Sequence, residues 1–150
     1  MEQLTIFNVA DAFLKISRQT PKKLQKLCYY AYAWYYAAFH EKLFLEKFQA
    51  WVHGPANYDL YKKYESYGWN EIPQKADAVI SPDLIGYTEW IWECYGHLDG
   101  NQLEMLTHQE PPWKIARGNL EPWENCEEII KDEEIARFFG PKYAELQSQS

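Results

Sequence analysis

The sequence predicts a mainly α-helical, compact domain, built around one central aromatic-rich helix and completed by a small antiparallel β-hairpin. Three observations support this prediction. Residues 24–38 are apolar around most of a helical circumference, which is typical of a helix buried on several sides. Helix-capping residues recur before stretches of helical periodicity along the chain. Residues 43–52 are instead rich in strand-forming residues and precede Gly54-Pro55.

The first two helices are predicted from their amino-terminal caps. Thr5 is placed to cap a helix over residues 6–16, whose inward face comprises Phe7, Ala10, Phe13 and Leu14. Thr20 caps the second helix, and Pro21 suits its first position, where a backbone N–H is not needed. The apolar positions of this helix recur at helical spacing; they are Leu24, Leu27, Cys28, Ala31, Tyr35 and Ala38. We expect the second helix to form the centre of the fold, with Cys28 buried and unreactive.

The hairpin is predicted over residues 43–45 and 47–52. In the second segment Trp51 alternates with polar neighbours, which is the period of a strand with one buried face. Gly54-Pro55 is expected to end this strand, because proline has no N–H with which to continue the ladder.

The remaining helices are also predicted from caps and periodicity. The predicted caps are Asn57 (helix to about Tyr67), Ser81 (helix over 82–95), Asp99 with Gln102 as a capping box, and Asp132 for the last helix. Residues 68–78 are predicted to be loop, and Pro111-Pro112 is expected to lead into a helical turn. Cys94 is expected on the inward face of its helix, and Gly140-Pro141 is expected to end the last helix.

The composition limits the classes of function. A chain of 150 residues fits one domain, which is predicted to cover residues 1–150. The net charge of −7 argues against broad attraction to nucleic-acid phosphates or anionic lipid, and the apolar runs are too short to span a bilayer. Glu2 stands where a signal peptide would carry a basic residue, and three widely spaced cysteines do not form a disulfide framework. A cytoplasmic protein is therefore predicted, with its oligomeric state left open.

Catalytic, cofactor and metal sites are not predicted. Cys94 and His97 form one C-x-x-H pair, whereas structural zinc normally requires two close pairs of ligands. Glycine patterns that bind nucleotides are missing from the sequence. Thr107, His108 and Glu110 are close in sequence, which leaves a small hydrolase-like enzyme centred on His108 as one rival hypothesis. Neighbouring helical positions point in different directions, so helix termination is the favoured interpretation of this segment.

A basic run lies around the start of the second helix. It comprises Lys15, Arg18, Lys22, Lys23 and Lys26. Two of these residues would occupy the first turn, where the helix dipole disfavours cations, and such misplaced charge can indicate a partner surface. A small nucleic-acid-binding protein is therefore the second rival hypothesis. A solvated helix end is the favoured interpretation of the run, so nucleic acid is not the expected partner.

The turn over residues 51–55 is the best candidate for a functional surface. Exposed rings on rigid turns make good interaction hot spots. Trp51 is also compatible with a place in the core, because large aromatic residues are usually buried. His53 is equally compatible with capping a nearby backbone group, so both interpretations of the turn stay open.

Four segments occur in an order that resembles a known family. They are Lys23 to Ala31 (KLQKLCYYA), Ala50 to Pro55 (AWVHGP), Leu60 to Tyr64 (LYKKY) and Thr107 to Trp113 (THQEPPW). Together they resemble the Panacea domain family, which includes SocA-like antitoxins and GepA-like phage-associated proteins. Two positions depart from the family pattern: Cys28 stands where a larger aliphatic residue is common, and Ala56 stands where valine is frequent.

The resemblance implies a non-enzymatic protein-interaction module. Members of the family look like antitoxins that neutralise a cognate toxin, and SocA-like members resemble adaptors that deliver the toxin to a protease. Others are borne by phages or prophages. The implied partner is thus a protein, and the family offers no established catalytic residues to transfer. The candidate interaction surface comprises Trp51, His53, Gly54, Pro55, Tyr58, Tyr61, Thr107, His108 and Trp113.

Overall fold

A computed structural model describes residues 3–149, so Glu2 and both ends of the predicted domain range lie outside the described residues. The described part of the chain forms seven α-helices and one two-stranded antiparallel sheet. The helices are α1 (Ile6–Ile16), α2 (Pro21–Phe39), α3 (Tyr58–Tyr64), α4 (Pro82–Tyr95), α5 (Gly100–His108), α6 (Pro111–Arg117) and α7 (Asp132–Ser148). The strands are β1 (Gln49–Trp51) and β2 (Gly54–Ala56), and a 3-10 turn (Glu65–Tyr67) extends α3. The prediction of a mainly α fold is confirmed.

Helix α2 is the centre of the fold, as its sequence predicts. Every residue from Leu24 to Tyr35 is buried, and the helix packs against α1, α4, α5, α7 and β2. Large rings fill the spaces between these helices: Tyr30 stacks on Tyr95 at a centroid distance of 4.0 Å. Cys28 is buried, and this burial raises the pKa of its thiol, which supports the predicted lack of reactivity.

Most predicted helix starts are confirmed by their hydrogen bonds. Thr5 and Asp99 form capping boxes at the starts of α1 and α5. The side chains of Thr20, Asn57 and Ser81 each accept a hydrogen bond from a backbone N–H in the first turn of α2, α3 and α4. Local sequence signals therefore determine where these helices begin.

The predicted hairpin is wrong in its position. The two strands are residues 49–51 and 54–56, so Gly54-Pro55 belongs to the second strand instead of ending the first. Pro55 pairs with Ala50, whose N–H donates to the Glu128 carbonyl on the other side of β1. Because Ala50 directs its N–H away from β2, no ladder hydrogen bond requires an N–H from Pro55.

The predicted end of the last helix is also wrong. Helix α7 continues through Gly140-Pro141 to Ser148. Pro141 lies on the exposed side of the helix, where water can hydrate the carbonyl group that its missing N–H leaves without a donor. Phe139 lies on the buried side, and its ring centroid is 5.2 Å from that of Trp34. The N-cap residue of α7 is Lys131, whereas Asp132 was predicted. The Asp132 carboxylate instead accepts a hydrogen bond from the Tyr32 hydroxyl at 2.8 Å.

Cys94 is exposed, which contradicts its predicted inward position on α4. Among residues 3–149, no group of three or more His, Cys, Asp or Glu side chains is arranged to hold a metal ion. Within the same residues, no helix is long and apolar enough to cross a membrane.

Candidate functional site

A cleft of about 710 Å³ opens beside the amino-terminal end of α2. The first turns of α2 form one wall, and the β-hairpin, α3 and the start of α5 form the others. The side chains that give the cleft its chemistry are Lys22, Lys26, Trp51, His53, Tyr61 and Trp69. A concave, mostly apolar site with a few converging polar groups is the usual form of a binding site.

Aromatic rings form the rim of the cleft. Trp69 is 80% exposed and Tyr61 is 42% exposed, while Trp51 is half-buried. Trp51 and Tyr61 meet edge to face with ring centroids 5.3 Å apart, and the Trp51 indole N–H donates to the Gln49 side chain at 2.7 Å. The rim therefore offers large apolar surfaces, two of which are already fixed in orientation.

Lys22, Glu104 and His53 form one connected polar group beside the cleft. One carboxylate oxygen of Glu104 accepts a hydrogen bond from Lys22 Nζ at 2.7 Å, and the other lies 3.1 Å from His53 Nδ1. Burial acts to raise the pKa of Glu104, but the hydrogen bonds from Lys22 and His53 act more strongly in the opposite direction. The pKa of Glu104 is therefore lower than its usual value. Glu104 is therefore ionised, and both of its oxygens are occupied.

Lys26 lies at the floor of the cleft. Its side chain is 2% exposed, and Nζ makes one hydrogen bond, to the Pro55 carbonyl at 3.1 Å. Burial lowers the pKa of this lysine to about 7, against an opposing effect of Glu104 and with a further lowering by Lys22. An ammonium group has three N–H donors, so the charged form of Lys26 is left incompletely bonded.

Gly54 makes the close approach of β2 to this floor possible. Its φ is +101°, and a Cβ atom added to it would lie 2.7 Å from Lys26 Cε and 2.8 Å from Thr107 Oγ1. Both neighbours are held in place, since the Thr107 hydroxyl donates to the Glu104 carbonyl at 2.8 Å. Only glycine fits this position.

Side chains from α6 and the end of α5 contact β1 outside the cleft. The indole N–H of Trp113 donates to the Trp51 carbonyl at 2.8 Å, and Arg117 Nη1 donates to the Ala50 carbonyl at 2.9 Å. His108 stacks on Trp113 with centroids 4.0 Å apart and hydrogen-bonds to the backbone of Val52. The segment after α5 thus orients the strand that carries Trp51, although it does not line the cleft itself.

Arg117→Met is expected to lower the free energy of unfolding by about 2 kcal/mol, because it leaves the buried Ala50 carbonyl and two partly buried carbonyl groups without a donor. Besides Ala50, Arg117 bonds to the carbonyl groups of Glu121 and Glu124 at 2.8 and 2.5 Å. Arg137→Met is the control: that side chain is 72% exposed and pairs only with Glu134, so a change under about 0.5 kcal/mol is expected. Urea unfolding measures both, and equal effects would show that Arg117 does not hold the strand.

The structure divides the predicted interaction surface into two groups. Trp51, His53 and Tyr61 line the cleft, and Tyr58 is exposed on the same helix as Tyr61. The other predicted residues are buried or lie behind the hairpin; they are Gly54, Pro55, Thr107, His108 and Trp113.

The three residues of the predicted enzyme alternative make separate contacts. The Thr107 hydroxyl faces the Glu104 carbonyl, His108 stacks on Trp113, and Glu110 accepts from the Tyr30 hydroxyl at 2.8 Å. Burial lowers the pKa of His108, although Glu104 and the backbone of Val52 act in the opposite direction. Burial also raises the pKa of Glu110 to about 7. The geometry therefore gives the three groups no shared reacting centre.

The five residues of the predicted basic run do not form one exposed patch. Their partners are the carbonyl groups of Ala76 and Ala78 for Lys15, Glu71 for Arg18, Glu104 for Lys22, the Gly96 carbonyl for Lys23 and the Pro55 carbonyl for Lys26. The interpretation as a solvated helix end is wrong for Lys26, which is buried. Because two of these cations pair with carboxylates and Lys26 is buried, the run offers phosphates no continuous exposed patch.

Sequence reasoning missed Trp69 and the burial of Lys26. Trp69 follows Gly68 in a segment predicted to be loop, and its sequence does not show that it lies beside the cleft, because single exposed rings are normal on protein surfaces. Lys26 lies inside the run that is apolar around most of α2, so its burial could have been inferred from the same periodicity. The exposed Trp69 ring lies 5.4 Å from Lys22 Nζ, which links it to the connected polar group.

The fold and the cleft define a mainly helical domain with one β-hairpin and an aromatic-rimmed cleft. Comparison with protein-family models matches residues 24–114 to the antitoxin SocA-like, Panacea domain. The match covers more than half of the chain, and the chain therefore belongs to the Panacea domain family of SocA-like antitoxins. Searches of curated proteins and of solved structures gave no significant match.

Proposed function

We propose that this protein is a non-enzymatic antitoxin, which binds a cognate toxin protein through the cleft between α2, the hairpin and α3. The observation that carries the proposal is the exposed aromatic rim, formed by Trp69 and Tyr61 next to the half-buried Trp51. Aromatic anchors around a preformed cleft are the usual energetic centre of a protein interface. Most residues that line the cleft lie within the range that matches the antitoxin family, which adds further support; Thr20, Pro21 and Lys22 precede that range.

The proposal extends to the whole chain as one cytoplasmic domain. Helices α1 and α7 lie outside the matched range, yet both pack against α2. A nucleic-acid-binding function has less support, because the cations that suggested it are engaged inside the chain. An enzyme centred on His108 has less support as well, because His108 lies behind the hairpin against Trp113.

The test is rescue of growth when the chain is co-expressed with the toxic protein encoded beside it. The double variant Trp69→Ala/Tyr61→Ala is expected to lose rescue and to bind the purified toxin about thirtyfold more weakly, as for truncated hot-spot rings. Trp123→Ala is the matched control, since this tryptophan is 73% exposed and lies outside both the cleft and the matched range. It is expected to rescue fully.

Rescue that survives loss of both rim rings would overturn the cleft as the binding site. A neighbouring protein that is not toxic, and that the purified chain does not bind, would overturn the antitoxin proposal itself. Toxin lifetime in cells separates two modes of neutralisation: a shorter lifetime on co-expression indicates delivery to a protease, and an unchanged one indicates direct inhibition.

A further inference from the structure

We infer that the floor of the cleft binds an acidic side chain of a partner protein, with Lys26 as its counter-ion and the aromatic rim packing on the apolar residues beside it. This inference rests on the proposed function, because it names the chemistry that the partner segment presents. The inference is based on the buried cation Lys26, because a cleft that only binds protein through apolar contacts does not require a buried charge.

The charges around Lys26 indicate an anionic ligand. Glu104, the acid whose field acts on Lys26, already uses one oxygen for Lys22 and the other for His53. The acids that line the cleft are also engaged, since Glu65 pairs with Lys62 at 2.8 Å and Asp99 caps α5. Lys26 Nζ has the Pro55 carbonyl as its partner and two N–H donors left over.

The size and walls of the cleft indicate an occupant larger than a simple ion. About 710 Å³ holds several side chains, and the aromatic rings of the rim suit aliphatic or aromatic groups. A carboxylate on a short apolar stem can reach the floor while the main chain of the segment stays at the rim. The net charge of −7 opposes long-range attraction of an acidic segment, so the selectivity arises inside the cleft, where water is scarce.

Binding of a carboxylate is expected to take up a proton above neutral pH. Burial lowers the pKa of free Lys26 to about 7, so above this pH the floor is mostly uncharged. A bound carboxylate favours the ammonium form and raises this pKa again. The other titratable or charged groups that bear on Lys26 are Lys22, His53, Glu104 and His108.

The experiment uses capped peptides and the full-length protein, with binding followed by NMR titration. The probe is acetyl-Phe-Asp-Leu-amide, and its uncharged match is acetyl-Phe-Asn-Leu-amide. We expect the Asp peptide to bind at least about tenfold more tightly at pH 6, and to lose about tenfold in affinity by pH 8, since the protonated fraction of Lys26 falls by that factor. Lys26→Met is expected to bind both peptides equally at either pH.

One control variant and one further peptide complete the experiment. Lys114→Met, a like substitution at an exposed residue of α6 that does not line the cleft, is expected to keep the preference for the Asp peptide. Acetyl-Phe-Asn-Leu with a free carboxyl terminus tests a chain end as the source of the carboxylate, and tighter binding of this peptide would overturn the assignment to a side chain.

Equal binding of the Asp and Asn peptides to the unaltered protein would overturn the inference, even where the rim variants abolish rescue and the proposed function stands. Conversely, a clear Asp preference combined with full rescue by the rim variants would leave the carboxylate site intact and overturn the cleft as the toxin-binding site.

Discussion

Gly54→Ala is expected to lower the free energy of unfolding by about 4 kcal/mol. The residue has a φ of +101°, which side-chain-bearing residues rarely adopt, and the new Cβ would overlap Lys26 Cε and Thr107 Oγ1 at 2.7 and 2.8 Å. Lys26 cannot swing aside easily, because its side chain is buried and bonded to the Pro55 carbonyl. Urea unfolding followed by tryptophan fluorescence measures the loss.

Gly68→Ala and Gly118→Ala separate backbone strain from the steric overlap. Both glycines also have positive φ values, +56° and +61°, but an added Cβ would meet nothing within 4 Å at either position. Each is expected to cost about 1–2 kcal/mol, which is the strain alone. Equal losses at all three positions would show that the contact between β2 and Lys26 is looser than these distances imply.

The helices could be predicted from sequence because their signals are local. A cap such as Thr20 and the apolar periodicity that follows it fix the start and the buried face of α2 within about one turn. The hairpin failed because its strands depend on distant residues. Arg117 and Glu128 bond to the backbone of β1, and no local pattern reveals these partners.

The candidate site was only half predictable for the same reason. Trp51 before the Gly54-Pro55 pair and Tyr61 on α3 could be selected from the sequence, because large rings near such a turn indicate a candidate surface. The role of Lys26 depends on Glu104, which is far away in sequence and whose oxygens are claimed by Lys22 and His53. Sequence spacing describes the charges of a segment, whereas burial and pairing decide which charge is left without a counter-ion.

Lys26→Met is expected to stabilise the protein by about 3 kcal/mol at pH 6, although it removes a hydrogen bond. Burial lowers the pKa of Lys26 from 10.5 to about 7, so between these values the unfolded chain binds more protons than the folded one. Stability of the unaltered protein therefore rises with pH through this window, and the full penalty of the buried charge applies below about pH 7. Methionine fills a similar volume without charge, and the loss of the bond to Pro55 offsets about 1 kcal/mol.

The advantage of Lys26→Met is expected to shrink as the pH rises and to vanish near pH 10, where the remaining penalty of the buried charge no longer exceeds the loss of the bond to the Pro55 carbonyl. Lys114→Met is the control; it removes an exposed cation on α6, so a change under about 0.5 kcal/mol without this pH dependence is expected. If Lys26→Met were less stable at every pH, the lysine would be a structural donor to the hairpin. A gain confined to low pH would instead identify a charge that costs stability, as expected of a residue kept for binding an anionic partner.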